Sequence, residues 1–460
     1  LSVAASSVGD MNAMGVRWTA GQVLALAPDD ASRKAGSKLG TAGPWSGTGR
    51  GEGAVWGLCK GSGGSPYRTV VDTTGPAYAC SCPSRKFPCK HALGLLLLQA
   101  SDPTSFDDAA DAPDWAGQWL AGRRERADSA ARRAETGAAA GATADPEAAR
   151  RRAERRAARI TAGARELEQR LADLLRGGLA TAEQTGYGLW EETAARMVDA
   201  QAPGLAGRVR ELGAIPGSGP GWPVRLLEEC ALTHLLDRAW LAADRLPPDL
   251  AATVRSRVGL TVPADGSPVR DHWHVLAQYD TADARLTTRR IWLHGATSRR
   301  TALLLSFGAA GRAPRLAFPV GAVLDGELTP HPGSGRLRAE PGERFAPVAG
   351  PAAPPPGGPV GAALDAYGRA LGDDPWLDSW PVTLRDVVPA RAEYGWQLAD
   401  ADGREALPLT AAAQSRPGLW RLVALSGGAP VTVFGECGHR GFTPLAAWSP
   451  EAPGETVPLI

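Results

Sequence analysis

Three cysteines and one histidine crowd into a short stretch: Cys80-Ser81-Cys82, six intervening residues, then Cys89-Lys90-His91. Thiolate sulfur and imidazole nitrogen are the donors that Zn2+ prefers, and four of them complete a tetrahedron. Close-spaced thiols beside a histidine are more often metal ligands than an oxidised pair in a reducing compartment. The spacing also dictates geometry. On the end of a strand the period-two pleat turns Cys80 and Cys82 to one face. Residues two apart on a regular helix would diverge by about 200°, so Cys89 must precede the first regular turn of the helix that carries His91. Pro88 biases the chain away from helix just upstream, and a helix N-terminus favours the thiolate form of Cys89. Three thiolates and a neutral imidazole around a dication leave a net charge of about −1, which Arg85, Lys86 and Lys90 offset. One structural Zn2+ is therefore expected on Cys80, Cys82, Cys89 and His91. A fully ligated site has no open position for water, which argues against hydrolytic chemistry.

These ligands need a strand end and a helix start brought together, and the flanking sequence supplies both. Short helical patterns occur at Val23, Leu24 and Leu26 and at Ala31, Ala35 and Leu39. Residues 45–82 then read as a β-meander, with strands at 54–58, 67–72 and 77–82 separated by Gly- and Pro-containing turns. The glycines at 47, 49, 51 and 53 alternate without the strand-then-helix context of a dinucleotide fingerprint and are expected to form a flexible turn. After Pro88 and Cys89, a helix with the apolar body Ala92, Leu93, Leu95, Leu96, Leu97 and Leu98 ends before Asp102-Pro103.

The run from Cys80 to His91 resembles the SWIM zinc finger, and Trp56-Gly57, Gly61-Ser62-Gly63 and Pro66-Tyr67 resemble the lead-in of bacterial SWIM proteins. At the level of motifs the likeness spans roughly residues 45–100. It implies a zinc-binding recognition module that contacts protein or DNA; from the sequence beside the ligands, Arg85, Lys86, Phe87 and Lys90 are expected to be the surface presented to that partner. For bacterial members it further implies a neighbouring MoxR-type ATPase and von Willebrand factor A proteins, hence a chaperone-like assembly.

Beyond the finger, an α+β, multidomain chain is expected: a small zinc-stapled sheet-plus-helix module, a helical middle region and a β-rich C-terminal part. The expected divisions are 15–100 for the N-terminal module (finger core about 67–100), 101–146 for a linker and helix, and 147–260 for the helical region. Then come 270–345 for a β-rich domain, 346–380 for a Pro-rich spacer and helix, and 381–460 for a small C-terminal β domain. Trp115 and Trp119 sit one turn apart on a helix expected to run to about Glu135, and the Ala/Gly stretch 137–144 reads as flexible. Ala153, Ala157, Ile160, Ala164, Leu167, Leu171 and Leu174 form a seam of alternating four- and three-residue steps. One long helix inside a helical domain is the favoured reading, and a coiled coil the alternative. Arg150, Arg151, Arg152, Arg155, Arg156 and Arg159 on the same segment read as a solvated face, with a phosphate-binding face as the alternative.

Composition narrows the function classes. The 460 residues are 43% apolar with a formal net charge of +1, so no chain-wide field draws the protein toward nucleic acid or anionic lipid. The longest apolar run, Leu93 to Leu98, is far below the roughly 18 residues of a membrane span. The N-terminus lacks the pattern of a secretory signal, so a cytoplasmic location is expected, and the leading Leu1 raises Met11 and Met14 as alternative starts. Arg dominates over Lys, whose five copies all lie before residue 91, so Arg clusters carry little weight. There is no Gly-Lys dipeptide, no His-Glu-x-x-His and no Gly-x-Ser-x-Gly, and a non-enzymatic protein is expected. His272 and His274 share one side of a strand and Cys437-Gly438-His439 mimics half of the finger, but neither has partners nearby in sequence. Cys59 is read as a free thiol. The resulting expectation is an adaptor that binds a protein partner. The alternative partner is nucleic acid, with Arg85, Lys86 and Lys90 on phosphates and Tyr67 or Phe87 stacking on bases.

Overall fold

The computed structural model describes residues 18–125, 146–345 and 352–460, apart from 28–29, 52, 62–64, 74–76, 85–87, 109–110, 180–181, 183–185, 283–285, 310–313, 315 and 394. The first unit is an antiparallel meander, β1 (Trp45–Gly51), β2 (Ala54–Cys59), β3 (Tyr67–Asp72) and β4 (Ala77–Cys80), hydrogen-bonded in chain order. The alternation of β2 and β3 fills both faces. Val55 and Val71 pack with Leu93, Leu95 and Leu96 of α3 (Lys90–Ser101) on one side. Trp56 and Val70 pack with Ala116 and Leu120, from a helix over 114–125, on the other. Trp115 and Trp119 join that second layer; residues 126–135, where the helix was expected to continue, and 137–144 lie outside the described residues.

The glycine-rich segment corrects the sequence reading, because residues 45–51 form strand β1 rather than a flexible turn. Gly49 pairs with Trp56, and a Cβ there would lie 2.6 Å from the indole Nε1, so a bare backbone is what lets the ring lie against β1. The strand is held at its outer edge by Arg50 N donating to the Asp107 carbonyl at 3.1 Å and Asp107 N donating to the Thr48 carbonyl at 3.1 Å.

Helix α3 is apolar around its whole circumference, which only a fully covered helix tolerates. The cover opposite the sheet comes from α1 (Ala20–Ala25), through Val23 with Leu26 just past its end, and from α2 (Asp30–Ser37), whose Gly36 lies against Leu93. Close approach depends on small residues: a Cβ at Gly94 would lie 2.5 Å from that of Leu39, and one at Gly36 would lie 2.7 Å from that of Leu93.

The helical middle contains α5 (Pro146–Gly177), counted after the 114–125 helix as α4, followed by helices Gly186–Asp199, Pro203–Gly213, Trp222–Leu241 and Pro248–Arg257. The heptad seam closes inside this unit. Ile160, Ala164, Leu167 and Leu171 are buried with Met197, Leu205, Val209, Leu226 and Cys230, so the seam is a core stripe from Ile160 onward, whereas Ala153 is exposed. Asp237 is also fully buried here, with no hydrogen-bond partner for either carboxylate oxygen among the described residues.

Strands β5 (Val269–Ala282), β6 (Leu286–Gly295), β7 (Thr301–Ala309), β8 (Val323–Pro330) and β9 (Arg338–Arg344) close a barrel in the order β5-β6-β7-β9-β8, with β7 and β9 parallel. The last unit is a six-stranded sheet, β12-β11-β10-β13-β14-β15, from β10 (Ser379–Ala392), β11 (Gly395–Asp400), β12 (Ala406–Pro408), β13 (Val431–Gly438), β14 (Gly441–Trp448) and β15 (Val457–Pro458). Helix Val360–Asp373 packs on it through Val360, Ala363 and Tyr367. Barrel and sheet share a core of Leu276, Trp292, Phe434, Leu445 and Trp448. At its edge the Glu436 carboxylate accepts from the Tyr279 hydroxyl at 2.9 Å and from Trp292 Nε1 at 3.1 Å. Arg257 pairs with Asp374 at 2.7 Å, and Trp376 Nε1 donates to the Leu232 carbonyl at 2.9 Å, joining bundle to sheet. The α+β class and its three-part layout are thus observed. No helix among the described residues is long and apolar enough to cross a membrane.

Two predictions follow from this packing. Gly94→Val forces α3 away from Leu39, in the turn after α2, and costs about 1–3 kcal/mol by overpacking, read as a lower urea concentration for release of zinc to a chromogenic chelator. Burial, with the negative charge of Glu168 adding, pushes Asp237 from 3.8 up to about 8. A carboxyl that binds its proton more tightly when folded loses stability as pH rises through that window. Asp237→Asn therefore raises the melting temperature of the bundle at pH 8, and the gain shrinks toward pH 4, as thermal scans across pH would show.

Candidate metal centre

Strand β4 ends at Cys80, and Cys82 follows just past it, so the two thiols leave the sheet in succession at its edge. The exit is pinned from both sides: Ser81 N donates to the Arg68 carbonyl at 3.0 Å, and Arg68 N donates to the Ser81 hydroxyl at 3.0 Å. Cys89 is the residue before the first turn of α3, with φ −73° and ψ 167°, and its carbonyl accepts from Leu93 N at 3.0 Å. That extended backbone is what turns Cys89 and His91 to the same side despite their helical spacing. The ligand atoms of Cys80, Cys82, Cys89 and His91 all lie within 4.8 Å of one another.

These dimensions fit zinc. Zn–S bonds of about 2.3 Å give a tetrahedron with edges of about 3.8 Å, and Cys80 Sγ lies 3.6 Å from His91 Nδ1. The donor set, three sulfurs and one imidazole nitrogen, is that of a closed structural site. Cys89 and His91 are only 1% and 3% exposed, whereas Cys80 and Cys82 are partly exposed, so the centre is walled by α3 on the inside and reached from the β4 end.

The electrostatics favour a dication. Donation from the Cys89 thiol, assisted by His91 and Thr69 and opposed by burial, holds Cys80 down at about 3. Cys89 is pushed up by the same contact and by burial, and Cys82 is pushed up chiefly by burial. The cluster thus shares protons that a bound cation displaces, and metal uptake releases them. Cys59 is close enough to Cys80 to feel its charge, with burial the larger cause of its raised value. It stays outside the cluster, facing Tyr67 across the β2–β3 ladder.

Two residues that orient the ligands escape a purely linear reading. Thr69 pairs directly with Cys80 across β3 and β4, and its hydroxyl lies 3.3 Å from Cys80 Sγ. The Tyr67 ring packs on the His91 ring, with centroids 4.7 Å apart. Such supporting contacts fix ligand orientation and basicity. Only the register of the β3–β4 hairpin could have exposed Thr69 in advance, and the Tyr67 contact depends on the packing of α3. The contact of Tyr67 with His91 also means that one face of its ring is occupied, against its expected role as an open stacking platform for bases. Of the residues expected to meet a partner, Lys90 is exposed at the start of α3, and Arg85, Lys86 and Phe87 lie outside the described residues.

The other candidates do not assemble. His272 is exposed, while His274 is buried opposite His294 and bonded through Nε2 to the Thr456 hydroxyl at 3.0 Å. Cys437 is buried in the C-terminal core, and His439 Nδ1 lies 3.3 Å from the Tyr367 hydroxyl. Among the described residues no other group of three or more metal-binding side chains comes together.

A closed Cys3His centre joining a sheet edge to a buried helix defines a structural zinc finger. Comparison with known families places it more narrowly: residues 70–99 match the SWIM zinc finger, and residues 155–258 match the SWIM-associated four-helix bundle domain. The chain therefore pairs a SWIM zinc finger with the helical domain that accompanies it, and the expectation of one structural zinc on these four residues is supported. Neither a curated protein nor a solved structure matches the chain.

Elemental analysis should find one zinc per chain, absent from Cys82→Ser together with cooperative unfolding of the N-terminal unit. Thr69→Val should retain the metal but surrender it faster to a chelator, by about 10-fold. Because bound thiolates compete with protons, zinc loss should steepen as pH falls.

Proposed function

We propose that the chain is a non-catalytic zinc-stapled adaptor that docks a partner protein through the exposed rim of its finger. The observation that carries this reading is the closed donor set: four protein ligands, two of them buried on α3 and its N-cap, use every tetrahedral position, so the metal is placed to hold a surface rather than to activate water. The rim consists of Lys90 and, by sequence, the adjoining Arg85, Lys86 and Phe87. A net charge of +1 over 460 residues favours protein over nucleic acid as the partner. A cytoplasmic location follows from the reduced thiols that such a site requires. Within the SWIM resemblance, a MoxR-type ATPase assembly is the partner system to test first.

Affinity capture with the intact chain, compared with Cys89→Ala and with the zinc-retaining Lys90→Glu, tests the proposal. A partner recovered with wild type and lost from both variants supports it. Binding of duplex or single-stranded DNA at moderate salt, with a steep salt slope and loss in Lys90→Glu, would instead assign the rim to nucleic acid.

A further inference from the structure

We propose that a cleft between α5 and the last two helices of the bundle is a second docking site, independent of the finger, for an acidic peptide segment of a partner protein that carries an apolar anchor. The cleft has a volume of about 520 Å³ and lies where the heptad seam runs on past the bundle core. Its apolar walls are Ala153 and Ala157 of the seam, Trp240 and Leu260. The Trp240 Nε1 donates to the Thr161 hydroxyl at 3.1 Å, which fixes the indole against α5. This pocket can take an aliphatic or aromatic side chain.

Its charged lining is one-sided. Arg152 and Arg156 stand one turn apart on α5, and Arg255 reaches the cleft from helix Pro248–Arg257. Among the described residues none of the three has a carboxylate partner, and the Nε of Arg156 is buried without any hydrogen-bond acceptor. Several arginines elsewhere in the bundle are paired: Arg170 with Glu166 at 3.2 Å, Arg196 with Glu166 at 3.0 Å and Arg210 with Glu191 at 2.9 Å. The single acid in the lining, Glu154, is engaged by Arg150 at 3.4 Å. A buried guanidinium N–H left without an acceptor is costly, and carboxylates match the fork of arginine donors.

The same pairings decide between a peptide and a nucleic acid. The arginine run of α5 is not a continuous basic track, because Arg150 and Arg151 hold Glu154 and Glu147, and Arg159 donates to the Gln201 side chain at 2.8 Å. A phosphate backbone following the helix would meet those acids. A short segment with two or three carboxylates flanking one apolar residue matches three arginines set around an apolar floor.

The full-length, zinc-loaded chain is titrated by fluorescence anisotropy with fluorescein-labelled octapeptides rich in Glu and Asp around a central Leu. Parallel titrations use a Lys-rich octapeptide with the same Leu and a single-stranded DNA. The acidic octapeptide should bind best, with affinity falling about tenfold in Arg156→Gln and in Arg152→Glu. It should be unchanged in Arg176→Gln, which lies outside the cleft. Arg152 is exposed, so Arg152→Glu keeps the test valid if Arg156→Gln unfolds the bundle by circular dichroism. The proposal is overturned if the acidic octapeptide binds no tighter than the Lys-rich one, if Arg152→Glu binds it like wild type, or if DNA alone binds and depends on Arg152.

Discussion

Two pairs of ligand atoms, one leaving the end of β4 and one at the start of α3, must converge within a few ångströms, and the whole N-terminal unit is arranged around that convergence. The sheet edge is fixed by the reciprocal bonds of Arg68 and Ser81, and the helix start by the extended backbone of Cys89. A short four-stranded meander has few residues with which to bury one apolar helix, and zinc coordination can contribute roughly 10–16 kcal/mol of folding free energy in such modules. The metal thus supplies stability at the point where the chain changes from strand to helix.

Glycine and aromatic side chains do complementary work around that point. Gly49 lets Trp56 lie against β1, and Gly94 and Gly36 let α2 close on α3. With these contacts made, α3 is covered on all sides and carries His91 on a rigid element. Tyr67 and Thr69, both on β3, then reach the metal cluster from the neighbouring strand. One strand therefore serves both the hydrophobic core, through Val71, and the orientation of ligands.

The bundle is organised on a different balance. Its core is an ordinary seam of Ile, Leu and Ala, yet among the described residues the carboxylate of Asp237 is buried without a partner, and Arg152, Arg156 and Arg255 around a cleft have no acids to meet them. Such departures from local pairing lower stability, and they are expected where a surface has a task other than folding. The barrel and C-terminal sheet meet through a polar contact as well, although both ring nitrogens of His294 stay buried without a hydrogen-bond partner among the described residues. Glu436 accepts from two aromatic donors of the barrel, so the two β units are joined by polar as well as apolar contacts.

Much of the finger was determined by linear sequence, because its chemistry depends on residue type and short spacing. Cys-x-Cys at a strand end and Cys-x-His at a helix start admit few geometries, since a regular helix would separate Cys89 from His91. The bundle helix was likewise readable, since a seven-residue apolar period survives without knowledge of its neighbours. What only tertiary structure decided were features set by contacts between distant segments. Gly49 belongs to a strand because Trp56 covers it, and Thr69 meets Cys80 because of hairpin register. His272 and His274 part company because one faces solvent and the other packs beside Thr456, from the far end of the chain. Periodicity and spacing act within a few residues, whereas burial, register and charge pairing are properties of the assembled fold.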